Sequence, residues 1–155
     1  MYKKIKEAKK ITGCHKVNLI GHSMGELVSR SYVQSDYYAN DVEQLIQLGT
    51  PNSGTAPNFS FWSGGELPDQ DNLGFNFVRM YMDAYMLILK IKYKGQQIDA
   101  IHTHFKGLNN IIPALTYGDY LFYEDNNMME FKSIQGMQTQ NSFLNNLNKN
   151  MNIIK

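Results

Sequence analysis

Hydrophobic positions change their spacing several times along the first part of the chain, and each change marks an element. Tyr2, Ile5, Ala8 and Ile11 recur every three residues, which predicts a helix over 2–12 with one apolar stripe and Gly13 as its stop. The stretch Lys16-Val17-Asn18-Leu19-Ile20 holds β-branched residues and no breaker, as a short strand of a buried parallel sheet does. Met24, Leu27, Val28 and Tyr32 return to helical spacing. Residues 42–49, VEQLIQLG, read as a second strand centred on 44–48, and TPNSGTAPN as a turn-rich loop leaving it. Helix, strand, helix, strand is the order of a parallel α/β sheet.

Beyond residue 57 the pattern loosens. FSFWSGGELPDQDNLG, over 59–74, is aromatic and glycine-rich without a period and reads as a loop. Residues 76–94 look helical but are apolar nearly all round, which calls for cover on more than one face. Ile98 to His104 suits a short strand or a helical turn, 108–123 a loop around Pro113 and Gly118, and Asn141 to Leu147 a short helix with an Asn-rich tail fraying from 145. No internal repeat or low-complexity linker divides the chain, so residues 1–155 are read as one domain.

Composition narrows the function classes. In 155 residues, 43% hydrophobic and 12% aromatic content is enough for a core, and a net charge of +1 creates no field to gather nucleic acid or an anionic surface. The single cysteine, Cys14, excludes an internal disulfide framework. The N-terminal segment is charged and lacks the apolar core of a signal peptide, and the most apolar run, Val78 to Ile91, is broken by Arg79, Asp83 and Lys90, so no spanning helix is expected. Compartment stays open.

Candidate chemistry centres on Gly21-His22-Ser23-Met24-Gly25. A G-x-S-x-G sequence between a strand and a helix is the pattern of a nucleophile elbow, in which a sharp, strained turn exposes the serine Oγ above the sheet. Gly21 and Gly25 then stand where side chains would meet the neighbouring strand and helix. The start of the following helix favours an oxyanion beside Ser23, with the Met24 N–H as donor. His22, just before the serine, points away in such a turn and reads as a packing residue rather than a base. His102 and His104 in DAIHTHF, with Asp99 before them, are the only histidines downstream. Alternate strand residues face one side, so His-x-His hints at a metal, but two ligands without a third assign none. The Met and Tyr stripe of 80–89 reads as core. His15, beside Cys14, reads as a loop residue.

VNLIGHSMGELVSRSYVQS followed by DVEQLIQLGTPNSGTA resembles the lipase branch of the α/β-hydrolases, near the lecithin–cholesterol acyltransferase-like and bacterial triacylglycerol lipases, over residues 5–57. FWSGGELP and IIPALTYGDYLF resemble the cap of the same lipases less specifically. The resemblance implies a partial α/β-hydrolase parallel sheet over 1–57 and a mainly helical cap or lid region over 58–155. It implies Ser23 as nucleophile and Met24 as oxyanion donor, hydrolysis of a lipid-like carboxylic ester through an acyl-enzyme, and no cofactor. In the cap of such a lipase, the Met and Tyr stripe would line an acyl-chain pocket.

One departure sits inside the motif: relatives usually carry glycine after the second motif glycine, and this chain has Glu26. Its carboxylate is expected either to complement the helix dipole or, standing near a developing oxyanion, to weaken it. The family's acid and histidine follow the cap, and no histidine follows residue 105, so the chain resembles the middle of a longer lipase whose remaining sheet lies elsewhere. Asp99, His102 and His104 are then the alternative acid and bases. Acyl transfer to an alcohol, and a non-catalytic lipase-like fragment binding a hydrophobic ligand or partner, are the rival readings. A two-strand sheet is also expected to leave unpaired edges and an apolar face.

Overall fold

The computed structural model describes residues 1–65, 77–125 and 128–151, without the side chains of 77–79. Its first unit follows the predicted order. Helix α1 (Tyr2–Thr12) ends on Gly13, which takes φ 74° and bonds Lys9 O at 2.9 Å, a left-handed cap that glycine adopts without a Cβ penalty. Strand β1 (Val17–His22), helix α2 (Met24–Val33) and strand β2 (Val42–Leu48) form a strand–helix–strand path, with β1 and β2 paired in parallel so that Ile20 faces Ile46 and His22 faces Leu48. Both strands run further than the sequence suggested.

Both early helices lie on one side of this sheet. Ile5 of α1 packs with Tyr32, Val33 and Val42, and Val17, Leu19 and Leu45 press on the same cluster. The apolar stripe foreseen for α1 is reduced to one residue, because Tyr2 and Ile11 stay exposed. Beneath the cluster the Tyr32 hydroxyl donates to Asp41 Oδ1 at 2.8 Å, and burial, reinforced by that carboxylate, pushes the phenol up to about 12. The opposite face of the sheet is open among the described residues: Asn18, Ile20 and His22 with Gln44, Ile46 and Leu48 are exposed. Parallel sheets are ordinarily covered on both faces; this open side is mixed, with Ile20, Ile46 and Leu48 beside the polar Asn18, His22 and Gln44, rather than the wholly apolar face expected.

The later chain is mostly helical and departs from expectation in four places. Part of the segment read as a loop is helix α3 (Ala56–Gly64), with proline in its first turn and Gly65 as a left-handed cap; residues 66–74 of that expectation lie outside the described residues. Phe61 anchors α3 in a cluster with Met86, Leu89, Ala100 and Ile101, packing that local sequence does not announce. Helix α4 (Phe77–Lys92) turns Met86 and Leu89 into this cluster but leaves Met80, Tyr81, Leu87, Ile88 and Ile91 exposed, so cover on several faces is not what the structure provides. Helix α5 (Gln97–His104) settles the ambiguous segment as a helix.

After two short 3-10 turns, over 106–110 and 115–117, the chain forms an antiparallel hairpin of β3 (Leu121–Asp125) and β4 (Met128–Lys132) that the sequence reading had missed. Its cross-strand Phe122–Phe131 pair, with ring centroids 6.3 Å apart, supports the register, and residues 126–127 lie outside the described residues.

Helix α6 (Ser142–Lys149) does not fray from 145. Leu144 and Leu147 join Leu27 of α2, Ile111 and Ala114 in a cluster that brings the end of the chain back to the first unit. Asn145 accepts from Leu115 N at 2.8 Å, and Asn148 donates to Asn52 O at 3.0 Å. The asparagines that suggested a polar tail are its anchors.

Asn141 fixes this return. Its Oδ1 accepts from Leu144 N at 2.9 Å as an N-cap, and its Nδ2 donates to Ile112 O at 2.7 Å, in a site almost closed to water. Asn141→Ala is expected to cost about 2–3 kcal/mol, one cap plus one buried carbonyl left unpaired, measured by urea denaturation.

Candidate active site

Ser23 is the single residue between β1 and α2, and it carries φ 55° and ψ −138°. A β-carbon is strained there, at a cost of about 1–3 kcal/mol, and the surrounding fold must hold it. Part of that hold is the Ser23 N–H, which donates to Leu48 O at 2.9 Å and so continues the parallel ladder into the turn. The next N–H groups, of Met24 and Gly25, open the helix and have no carbonyl four residues back to bond. Met24 is exposed and Ser23 half-buried, so this end of α2 is reachable from outside.

The two motif glycines are not equivalent. A Cβ on Gly21 would land on the Glu26 carboxyl, whereas one on Gly25 would meet nothing within 4 Å among the described residues. Close approach explains the first glycine and not the second. His22 is exposed on the open face of the sheet, across from Leu48, with its imidazole toward Gly49.

Glu26 departs most from its expected surroundings. The side chain is 0% exposed and lies over Gly21, inside the strand–helix junction and away from the solvent end of the helix. Neither carboxyl oxygen has a partner in full hydrogen-bond geometry among the described residues, though the Ser29 hydroxyl is near enough to favour the ionised form. Burial raises its pKa above the usual carboxylate range, and the Ser29 hydroxyl opposes the rise only in part. The carboxyl foreseen beside the helix dipole does stand in the first turn of α2, but it is buried there and its pKa is raised. The inward face of α2 is Glu26, Leu27, Ser29, Arg30, Tyr32 and Val33, and Met24 and Val28, taken as part of its apolar stripe, are exposed. The sequence held a signal for this: Glu26 stands four residues before Arg30 and seven before Val33, on one side of a helix.

The downstream residues sit apart. On α5, residues two apart point to nearly opposite sides, so His102 and His104 do not converge as they would on a strand. His102 stacks on Trp62 with centroids 4.0 Å apart, its Nε2 3.0 Å from Trp62 O; His104 Nε2 is 3.1 Å from the Tyr93 hydroxyl. Asp99 is exposed in the first turn of the same helix. Among the described residues no hydrogen bond joins Ser23 to either histidine, and no three His, Cys, Asp or Glu side chains gather to hold a metal. No helix of the described residues is long and apolar enough to cross a membrane.

A parallel strand–helix–strand unit with a strained serine at its first junction has the form of a lipase-like α/β-hydrolase fold. Residues 1–72 match the family model described as the PGAP1-like alpha/beta domain, a family of that lipase-like α/β-hydrolase kind, and α4 and everything after it lie outside the match. No curated protein and no solved structure matches the chain.

Two outcomes follow from the Glu26 contact. Gly21→Ala is expected to destabilise the protein by about 1–3 kcal/mol, and Glu26→Ala in the same chain to recover most of it, read from denaturation of the two single variants and the double. A carboxyl whose folded pKa lies above its unfolded value contributes stability below the unfolded value, and that contribution is lost as pH rises through the folded one. Wild type should thus weaken as pH climbs from 4.5 toward that raised pKa, while Glu26→Gln, neutral throughout, should not show this loss in thermal melts across pH.

Proposed function

We propose that the chain carries the nucleophile of a serine hydrolase acting on lipid-like carboxylic esters. The observation that carries this reading is the positive φ of Ser23 at the junction of β1 and α2; the family match over residues 1–72 supports it. In this reading Ser23 Oγ attacks the ester carbonyl carbon and the carbonyl oxygen takes the charge, facing the free Met24 N–H. Collapse expels the alcohol and leaves an acyl group on Ser23, which water then releases as the carboxylic acid. Residues 58–155 form the cap side of the same unit.

The attack also needs a base for the Ser23 proton. His102 and His104 are bonded to Trp62 and Tyr93, which favours, as a second reading, a lipase-like unit that binds an acyl ligand without turning it over. The two separate in one experiment. Under the hydrolase reading, a fluorophosphonate probe labels the chain at Ser23, and Ser23→Ala abolishes labelling. p-Nitrophenyl butyrate cleavage should then be slight, because among the described residues no base stands beside the serine and only one oxyanion donor is present, and what turnover there is should be lost in Ser23→Ala. Absence of labelling at Ser23 selects the binding reading.

A further inference from the structure

Arg30 is a cation almost entirely removed from water, 1% exposed, and no carboxylate lies within ion-pair distance of it among the described residues. Glu26, one turn earlier, turns instead over Gly21. Burial pulls the guanidinium pKa down, and a buried charge of this kind ordinarily finds a counter-charge.

The hydrogen bonds around it fix the sense of every neighbouring amide. Arg30 can only donate, so Asn52 Oδ1, 2.9 Å from Nη1, and Asn148 Oδ1, 2.8 Å from Nη2, must both accept. Asn52 Nδ2 then donates to Gln47 Oε1 at 2.9 Å, and that leaves Gln47 Nε2 as a donor. Gln47 Nε2 and Arg30 Nε are both buried with no partner among the described residues. Arg30, Gln47 and Asn52, with Leu45 and Met151, line one cavity of about 280 Å³. Among the residues that line it, the unpaired polar atoms are N–H donors, both closed to water in this structure; its fixed charge is positive, Leu45 is an apolar wall, and Met151 adds another, with its Sδ accepting from Arg30 Nη2 at 3.0 Å.

We infer that this cavity between α2, β2 and the segments that follow β2 and α6 binds a small oxyanion, and that its apolar walls fit a carboxylate on a short aliphatic chain. The anion would accept from Arg30 Nε and Gln47 Nε2 and supply the charge that Arg30 lacks. This site is separate from the Ser23 hydroxyl and does not depend on ester hydrolysis.

Arg30 and Arg79 are the chain's two arginines, so the Arg30 Nε–H signal is directly observable by NMR once Arg79→Lys identifies the other. Titration of the full chain with sodium butyrate should shift that signal to saturation, and n-butanol, the uncharged analogue, should not. Gln47→Glu keeps the acceptor for Asn52 but sets a carboxylate beside the guanidinium, and it should weaken butyrate at least about tenfold by occupying the charge from within. Ser23→Ala should bind butyrate as wild type does, so failure of the hydrolase reading leaves this result untouched. A response to inorganic phosphate without one to butyrate keeps an anion site and overturns the carboxylate. An Arg30 signal unmoved by both, or equal saturation in Gln47→Glu, overturns the site itself.

Discussion

The Arg30 guanidinium joins parts of the chain far apart in sequence: α2 carries it, Asn52 accepts from it just behind β2, and Asn148 accepts from it on α6. Asn148 in turn donates to Asn52 O and to Thr116 Oγ1, so the accepting groups brace one another. A planar fork with fixed donor directions constrains all of them at once, which a lysine ammonium in its place would not. The Leu27–Leu144–Leu147 cluster supplies the apolar burial that makes the same closure favourable, and the polar network sets its register.

That closure bears on the serine. Positive φ at Ser23 persists because its neighbours on both sides are held: β1 by the parallel ladder to β2, and α2 by burial of most of its circumference. The two turns that leave the C-terminal ends of the strands are tied to the rest of the molecule as well. Gly54, with φ 85°, lets the loop after β2 press against the Ile112 carbonyl, and Thr55 N donates to Ile111 O at 2.9 Å. The loop after β2 is thus held by the 111–112 segment, while the helix end of the Ser23 junction stays reachable.

The first unit was legible in the sequence because its signals are local. Period, breaker and motif place α1, β1, the turn and α2 within a residue or two, and the G-x-S-x-G spacing pointed to the one residue between strand and helix. What the sequence concealed depends on distant partners. Phe61 makes a helix of an apparently aperiodic stretch only by packing on Met86 and Ile101. Asn145 and Asn148 look like tail residues until Leu115 and Asn52 come within reach. The hairpin at 121–132 carries Leu-Phe-Tyr and Met-Met runs without clean alternation, so period alone misses it. The burial of Glu26 was not legible, because a charged residue in a first turn is usually solvated, and here the absent side chain of Gly21 makes room for it.

The span between Arg30 and Asn148 also sets an order of assembly. During synthesis β1, α2 and β2 emerge before α6, and the guanidinium on α2 meets its Asn148 acceptor only after a further 118 residues of chain have followed. Until α6 docks, Arg30 is better left in water than buried half-paired, so the inner face of α2 gains little by closing early. Contacts this distant in sequence slow the final collapse, because the intervening loop must be closed before they form. The docking of α6 thus completes the surroundings of α2, the helix that Ser23 begins.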